Sequence, residues 1–253
     1  MTELAVVSLH SSPLIQPGVG DSGGMNVYVR ELAGSLAQAG VDTTVYVRRW
    51  AADLPTEVAV EPGFRVEHVD AGPADLAKES LPEVVGEFTE SLIDHLRHRP
   101  VDVVHANYWL SGVAGHRVKH ALDLPLVSTF HTLARVKAET GDPEPDRRVD
   151  AEVEVIGCSD VILANSLAES SQLRRLYGAD PDRIQVVPPG VDHAFFAPGH
   201  RGGARRALGL DPVAPTLLFV GRIQPLKGLD VAIGALAHLL ANGFRGQVKL
   251  IYI

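Results

Sequence analysis

The turn Gly18-Val19-Gly20-Asp21-Ser22-Gly23-Gly24-Met25-Asn26 sits between an apolar run, Leu4–Leu9, and a helix-like stretch. Glycines let backbone N–H groups approach an anion closely, and a helix N-terminus behind them adds about half a positive charge. This is the layout of a phosphate cradle. A second turn, Gly221-Arg222-Ile223-Gln224-Pro225-Leu226-Lys227-Gly228, follows a buried-strand-like run, Thr216–Val220. Arg222 offers a forked contact and Lys227 a point charge, a pair suited to a diphosphate. Gly18-x-Gly20-x-x-Gly23 also fits the dinucleotide fingerprint letter by letter. However, His10 to Pro17 separate it from its strand, whereas a dinucleotide turn follows almost at once. The second strand ends in Arg48-Arg49, with no acid for a ribose hydroxyl. An NADP-dependent oxidoreductase using Arg48 therefore stays open beside the phosphate-loop reading.

Between the two turns lie further polar groups at strand ends. His131-Thr132-Leu133 follows the run Leu124–Phe130, and Tyr108-Trp109-Leu110-Ser111-Gly112 follows a run ending at Ala106. Residues at the carboxyl ends of parallel strands face the ligand crevice. His131 can bond a sugar hydroxyl there, and Tyr108 presents its own hydroxyl, while Trp109 reads as core packing. Asn26, in the first helical turn, can bond a substrate hydroxyl or cap the turn. His116 and His120 have metal-ligand spacing on a helix. Arg117 replaces the Glu of a metalloprotease motif and no third ligand is evident, so the pair reads as a solvated helix face and no metal site is expected. No Gly-x-Ser-x-Gly elbow supports a hydrolase.

The elements that must position these groups alternate. Leu4–Leu9, Thr43–Val47, Phe64–Val69, Val101–Ala106, Leu124–Phe130, Val161–Ala164 and Ile184–Val187 read as strands. Val27–Gln38, Leu81–Leu96, Val113–Leu122, Arg148–Ile156 and Leu167–Leu176 carry apolar residues at helical spacing. Such alternation predicts an α/β fold, a doubly wound parallel sheet covered on both faces. Pro188-Pro189-Gly190-Val191-Asp192 breaks the pattern, and a polar connector follows. The expected domains are 1–192 and a smaller, incomplete 193–253, with helix Ala204–Leu208, strand Thr216–Val220, helix Leu229–Leu240 and strand Val248–Ile253. A lone strand–helix–strand unit leaves a sheet edge unpaired, so the chain reads as part of a longer two-lobed protein.

Composition narrows the function. The 253 residues carry 23 basic and 31 acidic side chains, a net charge of −8. That balance argues against a nucleic-acid partner. The single cysteine, Cys158, excludes an intramolecular disulfide, fits a reducing compartment and reads as a small buried side chain. With no leader-like segment and no run near the ~20 apolar residues of a membrane span, a soluble cytoplasmic protein is expected.

Taken together, Ser11-Ser12-Pro13…Gly20-Asp21-Ser22-Gly23-Gly24-Met25-Asn26-Val27-Tyr28, Tyr108-Trp109-Leu110-Ser111-Gly112, His131-Thr132-Leu133, Pro189-Gly190-Val191-Asp192 and Gly221-Arg222…Lys227-Gly228 resemble the retaining GT-B glycosyltransferases of family 4. Within that family the chain resembles the actinobacterial branch that glycosylates inositol phosphate in mycothiol biosynthesis, with sucrose-phosphate synthases as more distant relatives. The resemblance covers the whole chain and implies a GT-B fold of two Rossmann-like domains. It implies that Arg222 and Lys227 hold the diphosphate of a nucleotide sugar such as UDP-GlcNAc, that Gly24 lets the backbone approach it, and that His131 contacts the donor sugar. His131, Arg222 and Lys227 are then the catalytic residues. Asn26, Lys78, Tyr108, Thr132 and Arg148 match positions that grip the phosphorylated acceptor, with Arg147 as the neighbouring alternative to Arg148. No cofactor is implied, and a homodimer stays open. Ala106-Asn107 stand where that branch carries Ser-His, the stretch from His131 to Arg148 is shorter, and the paired-glutamate motif of the donor lobe is missing. A sugar-phosphate-binding module without turnover is the remaining alternative.

Overall fold

Ala5, Val6 and Val7 are wholly buried, the state of a strand covered on both faces. They belong to β1 (Thr2–Val7), near the middle of the sheet. The structure is a computed structural model that describes residues 2–16, 23–221, 223, 227–243 and 247–250. It forms two compact units, Met1–Pro189 and Gly190–Ile253. The first contains β1, α1 (Gly24–Gln38), β2 (Val41–Arg48), β3 (Glu57–Glu61), β4 (Phe64–Val69), α2 (Val85–His98), β5 (Val103–Asn107), α3 (Trp109–Leu122), β6 (Leu126–Thr129), α4 (Ala134–Glu139), α5 (Asp146–Cys158), β7 (Val161–Ala164), α6 (Leu167–Tyr177) and β8 (Ile184–Val186). Its sheet runs β3-β4-β2-β1-β5-β6-β7-β8. Every pairing is parallel except β3 against β4.

The two faces of β1 follow from strand period two. Ala5 and Val7 pack with Tyr46, Phe88, Leu92, Ala114 and Val118. Val6 points the other way, into Val29, Ala33, Val45, Val47, Phe64 and Val66. A third cluster, around Phe130, Val155, Ile162 and Leu173, closes the β6–β8 end. Helix α3 lies hard against this sheet because it carries glycines there. A Cβ on Gly115 would sit 2.8 Å from Leu126 Cδ1 and 3.1 Å from Ala106 Cβ, and one on Gly112 would sit 2.9 Å from Val155 Cγ1 of α5.

The α/β, doubly wound expectation holds, with local differences. The edge strand β3 is not visible in the sequence pattern. Its antiparallel pairing shifts register between Ala59 and Glu61, and glutamates at both ends hide the alternation. The expected helix Leu81–Leu96 is instead a 3₁₀ turn, Lys78–Val84, followed by α2. Pro82 lies inside that turn, and its missing N–H and bulky ring prevent an α-helix from running through it. The six-residue α4 is too short to show a period. Helix α6 is legible in full: the Ser166 side chain accepts from Glu169 N, and Gly178 ends the helix at φ 65°.

The second unit contains α7 (Arg201–Ala207), β9 (Thr216–Phe219), α8 (Leu229–Ala241) and β10 (Gln247–Leu250), with β9 and β10 parallel. Among its described residues only Arg205 is buried. Among the described residues of the whole chain, no helix is long and apolar enough to cross a membrane.

Candidate functional site

Strand order reverses between β1 and β5, and a crevice opens beyond the carboxyl ends of strands at such a switch point. The segment after β1 is braced by Asn26, which is buried. Asn26 Oδ1 accepts from Ser11 Oγ at 2.7 Å and from Gly23 N at 3.1 Å, and Nδ2 donates to Ser12 O at 2.6 Å. Of its two expected roles, capping is the one the geometry shows. Leu9 N donates to Ser111 Oγ at 3.0 Å, and His10 lies against Tyr108 with ring centroids 4.5 Å apart. These contacts join the two sides of the switch point. Gly24 begins α1, with no described residue within 4 Å of where a Cβ would stand. The cradle residues Gly18 to Ser22 lie outside the described residues.

Beyond β5 and β6 the backbone is strained. Among the described non-glycine residues, positive φ occurs at Tyr108 (76°), Asp123 (54°) and His131 (62°). Asp123 is the C-cap of α3, an ordinary place for it. The other two stand one and two residues past their strands, where such conformations cost about 1–3 kcal/mol each and cluster at functional sites. The Tyr108 turn is tied to β6 by its N–H, which donates to Thr129 O at 2.8 Å.

Arg148 gathers this region. Its side chain is 3% exposed. Nε donates to Glu152 Oε1 at 2.8 Å, an η nitrogen donates to Tyr108 Oη at 3.1 Å, and the other η nitrogen donates to Thr132 O at 3.1 Å and Oγ1 at 3.0 Å. Its guanidinium also lies 5.0 Å from the centre of the Tyr108 ring. Glu144 Oε1 stands 3.0 Å from Arg148 and is bonded by Lys137 Nζ as well. Glu152 is wholly buried. Its Oε2 accepts from Ala134 N at 2.9 Å and from the Tyr177 hydroxyl. A buried carboxylate so placed needs its cation, which explains why Arg148 is held so tightly. Tyr108, Thr132 and Arg148 are thus in contact, and Arg148 rather than exposed Arg147 is the buried member of that pair.

His131 flanks the cluster. Nε2 lies 2.9 Å from Asn107 Oδ1, so Nε2 carries the proton and Nδ1 is left to accept. Tyr28 meets the imidazole edge-on at 4.8 Å. Burial pushes the His131 pKa down to about 4, so the ring is neutral at pH 7. Behind it His105 Nε2 contacts Thr129 Oγ1 at 2.9 Å, and burial, with His131 nearby, also holds it at about 4.

The remaining expected residues stand elsewhere. Lys78 is exposed at the start of the 3₁₀ turn, whose Leu81 and Val84 are buried. The segment leading to it is fixed by Arg48, whose η nitrogens donate to Ala71 O at 3.2 Å, Pro73 O at 2.8 Å and Ala74 O at 3.2 Å. Arg48 is 6% exposed, so it does not reach a cofactor phosphate, and the NADP alternative loses its anchor. Lys227 is exposed just before α8, and Arg222 lies outside the described residues. Trp109 packs against the core as expected. Cys158 is half-buried, not fully buried, with His120 Nε2 3.3 Å from its sulfur. Glu144, Glu152 and Lys137 were not anticipated. The Arg148–Glu152 pair has i,i+4 spacing, a signal available in the sequence.

A doubly wound unit with its crevice at the β1/β5 switch point is the fold of GT-B glycosyltransferases. Sucrose-phosphate synthase from Thermosynechococcus elongatus superposes with a TM-score of 0.89 at 26% identity, over 100% of this chain and 62% of that one. Anabaena HepE, solved with UDP and glucose, shares the fold at a TM-score of 0.65 and 16% identity, over 100% of this chain and 70% of that one. Residues 22–195 match Glycosyltransferase Family 4, and the chain belongs to that family. D-inositol 3-phosphate glycosyltransferase from Actinosynnema mirum is 46% identical, over 100% of this chain and 63% of the relative. The enzyme of the same name from Geodermatophilus obscurus is 48% identical, over 94% of this chain and 55% of the relative. The chain therefore spans 55–63% of the length of these curated relatives.

Proposed function

We propose that the chain forms the acceptor side of a retaining glycosyltransferase. The enzyme moves a hexosyl unit from a nucleotide sugar such as UDP-GlcNAc to a phosphorylated polyol such as inositol phosphate, in the cytoplasm. One observation carries the reading: Tyr108 Oη, Thr132 Oγ1 and the Arg148 guanidinium converge within 3.0–3.1 Å, with the Glu144 carboxylate already seated against Arg148 and Lys137. A group of donors that holds one anion suits another, and arginine's fork suits phosphate. The names of the relatives point to the same acceptor.

In this reading the acceptor phosphate takes the Glu144 position, with Lys78 and the Asn26 amide as further contacts. Neutral His131 contacts the donor sugar through Nδ1. Arg222 and Lys227 hold the diphosphate, and Gly24 lets the start of α1 approach it. No carboxylate here is assigned as a covalent nucleophile. The acceptor hydroxyl attacks the anomeric carbon from the face the diphosphate leaves, and the departing phosphate oxygen takes the hydroxyl proton. Arg222 and Lys227 stabilise the charge growing on that oxygen, so the chemistry asks for no metal and no cofactor.

UDP release from UDP-GlcNAc, with and without inositol phosphate, tests the reading. Release that requires the acceptor, and falls at least about 100-fold in Arg148→Ala, is expected. Binding of inositol phosphate with no release from any nucleotide sugar would reduce the protein to a sugar-phosphate-binding module.

A further inference from the structure

The pair His116 and His120 gains a partner in three dimensions. The two imidazoles stand one helical turn apart on α3, with ring centroids 4.8 Å apart. Cys158, the last residue of α5, places its sulfur 3.3 Å from His120 Nε2. One ligand atom from each of these three residues lies within 4.8 Å of the other two, a grouping found once among the described residues. One turn earlier on α5, Glu154 Oε1 lies 3.2 Å from His116 Nε2. Two i,i+4 pairs therefore face each other across the helices, His116 opposite Glu154 and His120 opposite Cys158. We propose that His116, His120 and Cys158 form a binding site for a divalent transition metal of the zinc class, cross-linking α3 to α5, with exposed Glu154 supplying the fourth ligand.

The donor set selects the metal. Zinc takes imidazole at ~2.0–2.1 Å, thiolate at ~2.3 Å and carboxylate at ~2.0–2.2 Å in a tetrahedron, whose edges are then roughly 3.3–3.6 Å. The two measured rungs, 3.2 and 3.3 Å, are already near that edge. Two imidazoles and a thiolate are poor ligands for calcium or magnesium, which want oxygen. The backbone is held in place without the ion. Lys119, on the same helix between the two histidines, donates to Cys158 O at 3.0 Å and to Asp160 Oδ2 at 2.6 Å, and Asp160 accepts from Leu126 N at 2.8 Å. Close packing of Gly112 on Val155 fixes the helix spacing one turn before His116. His116 Nδ1 is buried without a hydrogen-bond partner among the described residues. The site thus lacks one orienting bond that metal-held histidines commonly have, which lowers affinity about 10–100-fold relative to a fully braced site.

The position separates this site from the transfer chemistry. The N-terminal ends of the same two helices carry Tyr108 and Arg148, and twelve residues of helix place His120 about 18 Å along α3 from Tyr108. A metal here braces the helix pair that presents the anion cluster.

Cobalt(II) titration of untagged, metal-stripped protein tests the proposal. We expect one equivalent to bind with a thiolate-to-cobalt charge-transfer band, and zinc to displace it. Cys158→Ser should abolish the band, and His120→Ala or His116→Ala should weaken binding at least tenfold, while Arg117→Ala binds as wild type does. Zinc should raise the melting temperature of the wild type and not of Cys158→Ser. Circular dichroism confirms that each variant is folded. No band at saturating cobalt, or cobalt affinity unchanged in Cys158→Ser, would overturn the proposal and leave the sulfur–imidazole contact as a plain hydrogen bond.

Discussion

Arg148 and Lys227 are both cations assigned to a phosphate, and they stand in opposite surroundings. Arg148 is buried, with four side-chain or backbone partners fixed before any ligand arrives. Lys227 is exposed at the head of α8, in a unit where apolar side chains such as Val231, at 69%, and Ile233, at 57%, also face solvent. The contrast has a physical source. The eight-stranded first unit can bury a charged pair because helices cover both sheet faces. The described part of the second unit holds two parallel strands, β9 and β10, and buries Arg205 alone among its described residues. The Arg148 cluster is thus built in advance, whereas Lys227 presents an open charge.

That contrast can be broken first at Arg148. Replacement by Ala leaves buried Glu152 without its cation and should destabilise the first unit by about 3–5 kcal/mol, read as a fall in urea midpoint. A change under about 1 kcal/mol would mean the cluster is not a structural hub.

Acid is the next lever. His105 and His131 both titrate near pH 4 in the folded protein, below their ordinary value of ~6.5. The unfolded chain therefore takes up protons that the folded one refuses as pH falls from about 6.5 to 4. The contribution of these two rings should be flat above that window and fall by about 7 kcal/mol across it, half of it from each ring. Asn replacements at both positions should flatten the drop, and an unchanged profile would contradict burial of the neutral rings.

Lys227 should behave the other way. Lys227→Ala should change stability by less than about 0.5 kcal/mol yet weaken nucleotide-sugar binding about 10–100-fold, the loss of one charged hydrogen bond. Gly24→Ala is the finest test. Its Cβ meets nothing within 4 Å among the described residues, so folding should be unaffected, while donor affinity drops about tenfold if the backbone there touches the diphosphate.

The sequence makes the first unit readable wherever local rules decide. Phe64–Val69 and Val161–Ala164 are the expected strands residue for residue, because apolar runs between turns leave few alternatives. Helix ends at Ser166 and Gly178 follow from capping chemistry. Candidate residues at strand ends, Tyr108 and His131, are legible from topology alone. Their positive-φ backbone is not, since such conformations are uncommon for any residue but glycine and the packed surroundings impose them. Glu152 hides as one more helix glutamate until the fold buries it. Cys158 and His120 meet only through the packing of α5 on α3, which no spacing in the chain encodes. The role of Arg48 is likewise tertiary: its three carbonyl partners come from a loop beyond β4.

The claim that the Tyr108–Thr132–Arg148 cluster is a ready phosphate site is tested most directly by calorimetric titration of inositol phosphate into the chain and two variants. Glu144→Gln removes the resident negative charge, and Tyr108→Phe removes a single hydroxyl. Saturable binding is predicted, tightened about tenfold in Glu144→Gln and weakened about tenfold in Tyr108→Phe, each the size of one hydrogen bond. Binding that ignores both substitutions, or no binding to any of the three proteins, would contradict the account.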